Sequence, residues 1–355
     1  MAGLLVVGLF PSVAAAEEAD LTQFGPKTYT RTTGQPTTAS SSFNAAQAPA
    51  RLIVRGDDNA KVTIRLNGKT VVGPGRRDGG TTSTPVDLLP TNRIEVQLSG
   101  KPGTAVKVRV KQQVTVDTRA TGVGIYGLQV TNFERQLGFW DDFGLKAVIN
   151  PAGPETNTIE MAQVLGLTEP YRLKVSLHWL SQIGVGAAAD TVQFIDPFNA
   201  DPPYAKLNHI GYTHVTYGTR DLDGAVTFLR SRGVTVVSDP VGTPGSRYAF
   251  VRDDDGTYYQ LVEDSGAPGS ATPTALTRMT SITLNVSDLE ATTEFLKLFG
   301  FTQAVPAGET VQAGTPEAVA WGFPSGFRNR GFDLSNPAQP DGPKIQVRKW
   351  TSPYN

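Results

Sequence analysis

The chain of 355 residues contains no cysteine and three histidines, His178, His209 and His214. Without cysteine there is no thiol nucleophile, no disulfide and no lipid-anchoring thiol. Two of the histidines fall in one stretch, "NHIGYTHVTYGTRDLDGAVTFLRSRG" over residues 208–233. A histidine in such a place is either a metal ligand in an active site or a polar residue on a strand. Other chemistry templates are missing: no GxSxG elbow, P-loop or HExxH occurs. "GVGIYG" and "GVGAAAD" are glycine-rich, but neither opens a helix after a strand. The three acids of "RDDDG" read as an Asp-Gly turn rather than a calcium loop. A formal net charge of -1 shows no basic excess, so no nucleic-acid partner is expected.

The elements that must position these residues form a unit that occurs three times. "IYGLQVTNFERQLGFWDDFG", "YTHVTYGTRDLDGAVTFLRSRG" and "SITLNVSDLEATTEFLKLFG" each read strand, Asn or Asp, helix-period run, then Gly. Asn132, Asp221 and Asp288 are placed to accept hydrogen bonds from first-turn amides. Gly144, Gly233 and Gly300 each follow twelve residues later, where a helix end needs a left-handed residue. Leu222, Ala225, Val226 and Leu229 share one helical face, as do Phe133, Leu137 and Trp140. Each copy continues into further strands and ends in one with a glutamine between apolar residues: Gln193 in "TVQFI", Gln260 in "YYQLV" and Gln346 in "KIQVR". A βαβββ repeat is therefore predicted three times. Strand alternation puts Tyr212, His214 and Thr216 on one face and Val215 and Tyr217 on the other, against the helix. Tyr258 joins Gln260 by the same rule. His178, in "RLKVSLHW", alternates with Leu173, Val175 and Leu177, and either lines the site or faces water.

The repeated unit, the spacing "H…DL…A..FL…G" and above all "YAFVRDDDGTYYQLVED" resemble the vicinal oxygen chelate superfamily over residues 120–355. That superfamily includes glyoxalase I, bleomycin-resistance proteins, methylmalonyl-CoA epimerases and extradiol dioxygenases. The resemblance implies an α+β fold in which two units pair into a curved sheet around a cup. It also implies a divalent metal (Fe, Mn, Ni or Zn) held by first- and last-strand residues. The first-strand position, seven residues before each helix cap, is Ile125, His214 or Ser281, and the last-strand position is Gln193, Gln260 or Gln346. Taking residues 120–266 as the pair, 267–277 as a linker and 278–355 as a third, unpaired repeat gives a metal set of His214, Gln260 and Gln193. Ile125 then stands where a fourth ligand belongs. One imidazole and two neutral amides depart from the imidazole–carboxylate sets that hold Zn or Fe, so a degenerate site is expected. Tyr212, Thr216, Tyr258, Gln129 and His178 would line the cup as a small-molecule site. The expected function is binding of a small organic ligand. The alternative is a metal-dependent lyase, epimerase or dioxygenase anchored on His214. No catalytic residue is assigned.

Residues 1–16 read as an export signal, with the apolar run "LLVVGLF" and cleavage after Ala16, although no Lys or Arg precedes Lys27. The run is too short to span a bilayer, and a secreted or periplasmic location is expected. Residues 17–48, poor in large apolar groups, read as a linker. Residues 49–116 alternate with period two between Gly, Asn, Asp and Pro, as in a small β-sandwich with a hairpin at Asn67-Gly68. This segment resembles accessory sandwich domains of secreted bacterial proteins, which makes surface or glycan attachment a further alternative. From cap to terminal glutamine the repeats span 61, 39 and 58 residues. A third repeat with no internal partner would leave a sheet edge open, so either a truncated sequence or a homodimer through the third repeats is expected.

Overall fold

The computed structural model describes residues 17–74, 80–116, 122–149, 155–156, 158–164, 166–196, 198, 203 and 205–353. The expected signal, residues 1–16, lies outside the described residues. Two compact units result, one of residues 1–119 with 293–298, the other of 120–292 and 299–355.

The first unit holds eight strands: β1 (Glu17–Thr30), β2 (Thr38–Asn44), β3 (Pro49–Gly56), β4 (Val62–Leu66), β5 (Lys69–Val72), β6 (Thr81–Asp87), β7 (Thr91–Leu98) and β8 (Ala105–Val116). They form two four-stranded sheets, ordered β1-β8-β3-β6 and β2-β7-β4-β5. The alternation in β3 and β7 turns Leu52, Val54, Ile94 and Val96 into a shared core with Ile64 and Val108. Asn67 and Gly68 both have positive φ, 52° and 80°, which is the backbone of the expected hairpin. The linker reading of residues 17–48 is overturned, because β1 pairs with β8 and β2 with β7. Both are edge strands, and an edge strand needs few apolar groups once a formed sheet offers it a ladder. Here Tyr29 is buried, and Phe24 meets Phe43 at 5.2 Å between ring centroids.

The repeats lie in the second unit, apart from residues 293–298. The first runs β9 (Ile125–Gln129), α1 (Phe133–Phe143), β10 (Ala147–Ile149), β11 (Glu155–Thr156), α2 (Ile159–Val164), β12 (Arg172–Trp179) and β13 (Ala188–Asp196). The second runs β14 (Gly211–Thr219), α3 (Leu222–Ser231), β15 (Thr235–Val236), β16 (Tyr248–Arg252) and β17 (Tyr258–Glu263). The third runs β18 (Leu276–Asn285), α4 (Leu289–Lys297), β19 (Gln303–Ala307), β20 (Thr310–Val311), α5 (Pro316–Ala320), β21 (Phe327–Ser335) and β22 (Lys344–Ser352). In every copy the first strand lies parallel to the last: β9 with β13, β14 with β17, β18 with β22. The caps act as expected. Asn132, Asp221 and Asp288 accept from the amides of Arg135, Gly224 and Ala291, and Gly144, Gly233 and Gly300 all have positive φ.

The α+β fold of βαβββ repeats behind an all-β region stands as expected, but the pairing differs. β14 lies antiparallel to β18, joining the second and third repeats in one nine-stranded sheet. Val215 faces Ile282 at the centre of this seam, each six residues before its helix cap, so the two repeats are related by a local two-fold axis. The third repeat is therefore paired, and its first strand is not free for a dimer. The first repeat keeps a separate sheet, ordered β10-β12-β13-β9. It packs by its helix face: Leu128, Trp140 and Phe143 share a core with Tyr217, Leu222, Leu229 and Tyr259. The physical reason lies in strand length and seam contacts. β9 has five residues against nine in β14 and ten in β18. Thr219 and Thr277 also lock the seam, donating to Thr274 O and to Asp264 at 2.7 and 2.8 Å. The "RDDDG" turn closes at Gly256 as expected, and its Asp255 also accepts from the Thr131 amide and Arg135.

Candidate functional site

The cup lies on the face of the nine-stranded sheet opposite α3. On β14, Val215 and Tyr217 are buried on the helix side, and His214 and Thr216 face the cup, as the alternation requires. β17 places Gln260 beside Thr216, and β22 places Gln346 beside Thr283. The two-fold axis makes these equivalent pairs. Thr216 Oγ1 donates to Gln260 Oε1 at 3.0 Å, and Thr283 Oγ1 donates to Gln346 Oε1 at 2.9 Å.

His214 sits between them, 1% exposed. Its Nε2 lies 3.2 Å from Thr283 Oγ1 and its Nδ1 lies 3.0 Å from Thr213 Oγ1. Because Thr283 gives its proton to Gln346, Nε2–H is the donor to Thr283; Thr213 Oγ1, beside Nδ1, also donates to Thr283 O at 3.2 Å. The ring packs edge-on against Phe250 and Trp321, with centroids 5.3 and 5.8 Å away. Burial, and then the nearby Arg348 charge, push its pKa down to about 3, so the imidazole is neutral.

A cavity of about 80 Å³ opens at this point, lined by His214, Gln260 and Gln346 and walled by the indoles of Trp321 and Trp350. Its charged groups are Glu309 and Arg348. Arg348 is spoken for: it meets Asp333 at 2.6 Å and donates to Phe332 O at 3.0 Å. Glu309 has one long contact, from Asn329 Nδ2 at 3.4 Å, and burial raises its pKa. The segment around α5 fills the rest of the cup. Trp321 contacts Phe250 and Phe327 at 5.0 and 5.2 Å and donates to Tyr248 Oη at 2.9 Å.

Of the residues singled out from sequence, His214 and Gln260 line this cavity. Thr216 stands behind Gln260. Tyr258 is on the cup side, packed on Phe250 and donating to Ala205 O at 3.1 Å, outside the cavity lining. The remaining four lie elsewhere. Tyr212 turns to the core near Tyr217 and Asp253, because the β14–β18 register slips between Tyr212 and His214 and reverses the alternation. Gln193 belongs to the first repeat and faces α1: its Oε1 accepts from the Phe133 amide at 3.0 Å and its Nε2 donates to Thr131 O at 2.8 Å. His178 is buried on that same helix side, 2.7 Å from Ser176 Oγ and 6.0 Å from the Trp140 ring. Burial lowers its pKa to about 4. Gln129 is exposed on the opposite face of β9.

The residue of the first repeat that corresponds to Gln260 and Gln346 is Asp190. Thr216 and Thr283 stand five residues before their caps and face Gln260 and Gln346; Gly127 stands five before Asn132 and faces Asp190. Sequence reading matched glutamine to glutamine and was three positions out. Asp190 Oδ1 is buried with no hydrogen-bond partner, and burial raises its pKa. The third-repeat wall was also missed. Its signal was the same alternation: Thr283 and Asn285 on β18, and Gln346, Arg348 and Trp350 on β22, all point one way.

Residues 122–261 match the Glyoxalase/Bleomycin resistance protein/Dioxygenase superfamily. That segment holds the first two repeats. Among solved structures the chain is similar to glyoxalase I from Zea mays, with 12% identity over 66% of this chain and 69% of that one, TM-score 0.42. It is also similar to a putative dioxygenase from Bacillus subtilis, with 14% identity over 65% and 64%, TM-score 0.40. A glyoxalase family protein from Bacillus cereus matches with 21% identity over 43% of this chain and all (100%) of that one, TM-score 0.36. No curated protein sequence matches the chain.

Proposed function

We propose that the cup of the second and third repeats binds a small, polar organic ligand without the help of a metal. The observation that carries this is the cavity itself, polar on the sheet side and walled by two indoles, with one carboxylate left without an ion pair. Its size, about 80 Å³, is well below the several hundred Å³ of a drug-sized pocket, so it suits a ligand of a few heavy atoms. Arg348 and Asp333 neutralise each other, which leaves Glu309 as the uncompensated group. A ligand that donates a hydrogen bond to Glu309 and accepts from the amides of Gln260 and Gln346 complements these walls.

The donor set does not fit the divalent ion that the resemblance implies. The four corresponding positions around the seam are His214, Ser281, Gln260 and Gln346, which bring no charge to a dication. Both glutamine oxygens already accept from threonines. Among the described residues, no three His, Asp or Glu side chains gather as a metal site. Calorimetry of the purified chain with small hydroxy acids, oxo-aldehydes and amino alcohols tests the reading. Binding that survives chelator treatment and weakens at least about tenfold in Glu309→Gln is expected, the loss of a charged hydrogen bond. Stoichiometric Fe, Mn, Ni or Zn that disappears in His214→Ala would instead establish the metal-dependent alternative.

Export belongs to the same proposal. Cleavage after Ala16 would leave β1, which begins at Glu17, whole. N-terminal sequencing of exported protein should begin at Glu17, and protein still starting at Met1 would refute this.

A further inference from the structure

We propose that the sandwich unit carries a second binding site, seated on Arg31, for a small hydroxylated carboxylate such as a sugar acid. A cavity of about 240 Å³ opens where β1 passes to β2, lined by Tyr29, Arg31, Thr32, Thr37, Val96 and Leu98 among others. All of these lie in the first unit, so the site is independent of the cup. Arg31 follows Tyr29 by two residues, both side chains turn inward, and Arg31 is only 9% exposed. Its Nη1 donates to Thr32 O and its Nη2 to Gly34 O, the latter at 2.6 Å. A guanidinium offers more donors than these two carbonyls take, and Nε is buried with no hydrogen-bond partner. Among the described residues no carboxylate pairs with Arg31. A buried charge is costly unless a counter-ion or a full set of hydrogen bonds compensates it. Carbonyl dipoles do this in part. A carboxylate does it better, because it brings the opposite charge and the planar pair of oxygens that a guanidinium matches. The backbone holds Arg31 in place for this: its amide donates to Thr104 O at 2.8 Å and its carbonyl accepts from the Gly103 amide at 2.7 Å.

The other walls define the rest of the ligand. Val96 and Leu98 are buried apolar side chains of β7, and Tyr29 lines the cavity with them. Tyr29 Oη is buried with no hydrogen-bond partner, and the neighbouring Ser41 hydroxyl accepts from Lys27 at 2.9 Å. Thr32 and Thr37 are exposed and bring hydroxyls to the mouth. A molecule with one carboxylate, an apolar ring face and several hydroxyls complements all of these. The volume falls below the several hundred Å³ of a drug-sized site, which suits a single sugar ring. Arg31 is the one charged residue of the lining, so it balances a monoanion, and the second charge of a phosphate would have no counterpart there.

Titration calorimetry of the full-length protein with glucuronate tests the site, with methyl glucoside and inorganic phosphate as contrasting probes. Glucuronate is too large for the cup of about 80 Å³, so binding in the cup does not mask the result. It should bind at least about tenfold more tightly than either contrasting probe, and Arg31→Gln should weaken it by at least about tenfold. Thr37→Trp should close the mouth and abolish binding while keeping the parent's thermal transition, since Thr37 is exposed. If Arg31→Gln fails to fold, Thr37→Trp decides alone. Methyl glucoside or phosphate binding as tightly as glucuronate overturns the proposal. So does glucuronate binding that survives in either folded variant, or no glucuronate binding at millimolar concentration. An oligouronate that binds as tightly as the free acid identifies polysaccharide chain ends as the source of the carboxylate, and its exclusion identifies the free sugar acid.

Discussion

His214 is a buried, neutral imidazole at the wall of the cup. At 1% exposure, between Phe250 and Trp321, it is held neutral with a pKa near 3, and His178 is held near 4. Both lie below the 6.5 of an unfolded histidine. The unfolded chain therefore takes up protons first as pH falls, and stability drops from about pH 7 downward. Between about pH 7.5 and about pH 5.5 each such histidine removes about 1.4 kcal/mol, a one-unit change in proton uptake. The carboxyls that burial raises, Asp190, Asp253 and Glu309, act with the opposite sign. Urea unfolding at the two pH values should show His214→Gln with about half the wild-type loss, because His178 still contributes. An unchanged pH dependence in that variant would mean that His214 is protonated in the fold. His214→Ala should carry a measurable stability cost, since the ring is buried with the Thr213 and Thr283 hydroxyls against its two nitrogens.

At the scale of elements, Gln193 is a helix anchor, closing the start of α1 from a neighbouring strand. Gln193→Leu leaves the Phe133 amide and the Thr131 carbonyl without these partners, which costs roughly 1–3 kcal/mol. Ligand affinity in the cup should not change, because Gln193 lies on another sheet. A variant of normal stability with lost binding would return Gln193 to the site. The segment after α5 makes the contrasting case. Trp321 is the plug of the cup, and Trp321→Ala should cost about 3–5 kcal/mol and widen the cavity. Calorimetry should then show larger ligands entering; if they are excluded, α5 is not what sets the size limit.

These elements also show what the sequence could and could not convey. Caps and closing glycines were legible because each is a local demand: Asn132, Asp221 and Asp288 meet amides three residues on, and the glycines need positive φ. His214, Thr216 and Gln260 were legible by alternation because the β14–β17 ladder runs in register from His214 to Thr219. Tyr212 was not, because a register slip one residue away reverses the alternation and no residue type announces it. Asp190 was hidden by a chance Gln three positions later, since ladder register is a property of two strands and not of one.

For the whole molecule, local rules identify the repeats, and pairing selects among edges that look alike in sequence. The longest seam was available to β14 and β18, and the shorter β9 was left out. The same logic explains the misread N-terminal stretch. "TRTTGQPTTASSSFN" buries little, yet β1 and β2 complete an edge of each sandwich sheet, where backbone hydrogen bonds supplied by β8 and β7 stand in for apolar area. An uncovered β8 or β7 would present a long ladder of unpaired amides and carbonyls, and exposed edges of that kind pair with other chains. Deleting residues 17–48 therefore exposes both strands at once and removes Tyr29 and Phe43 from the core they cover. The expected outcome is loss of the sandwich's native transition with concentration-dependent aggregation, seen by scanning calorimetry and light scattering. A linker would be removable at no cost, so a deleted chain that melts like the parent and stays dispersed would show that β1 and β2 are dispensable.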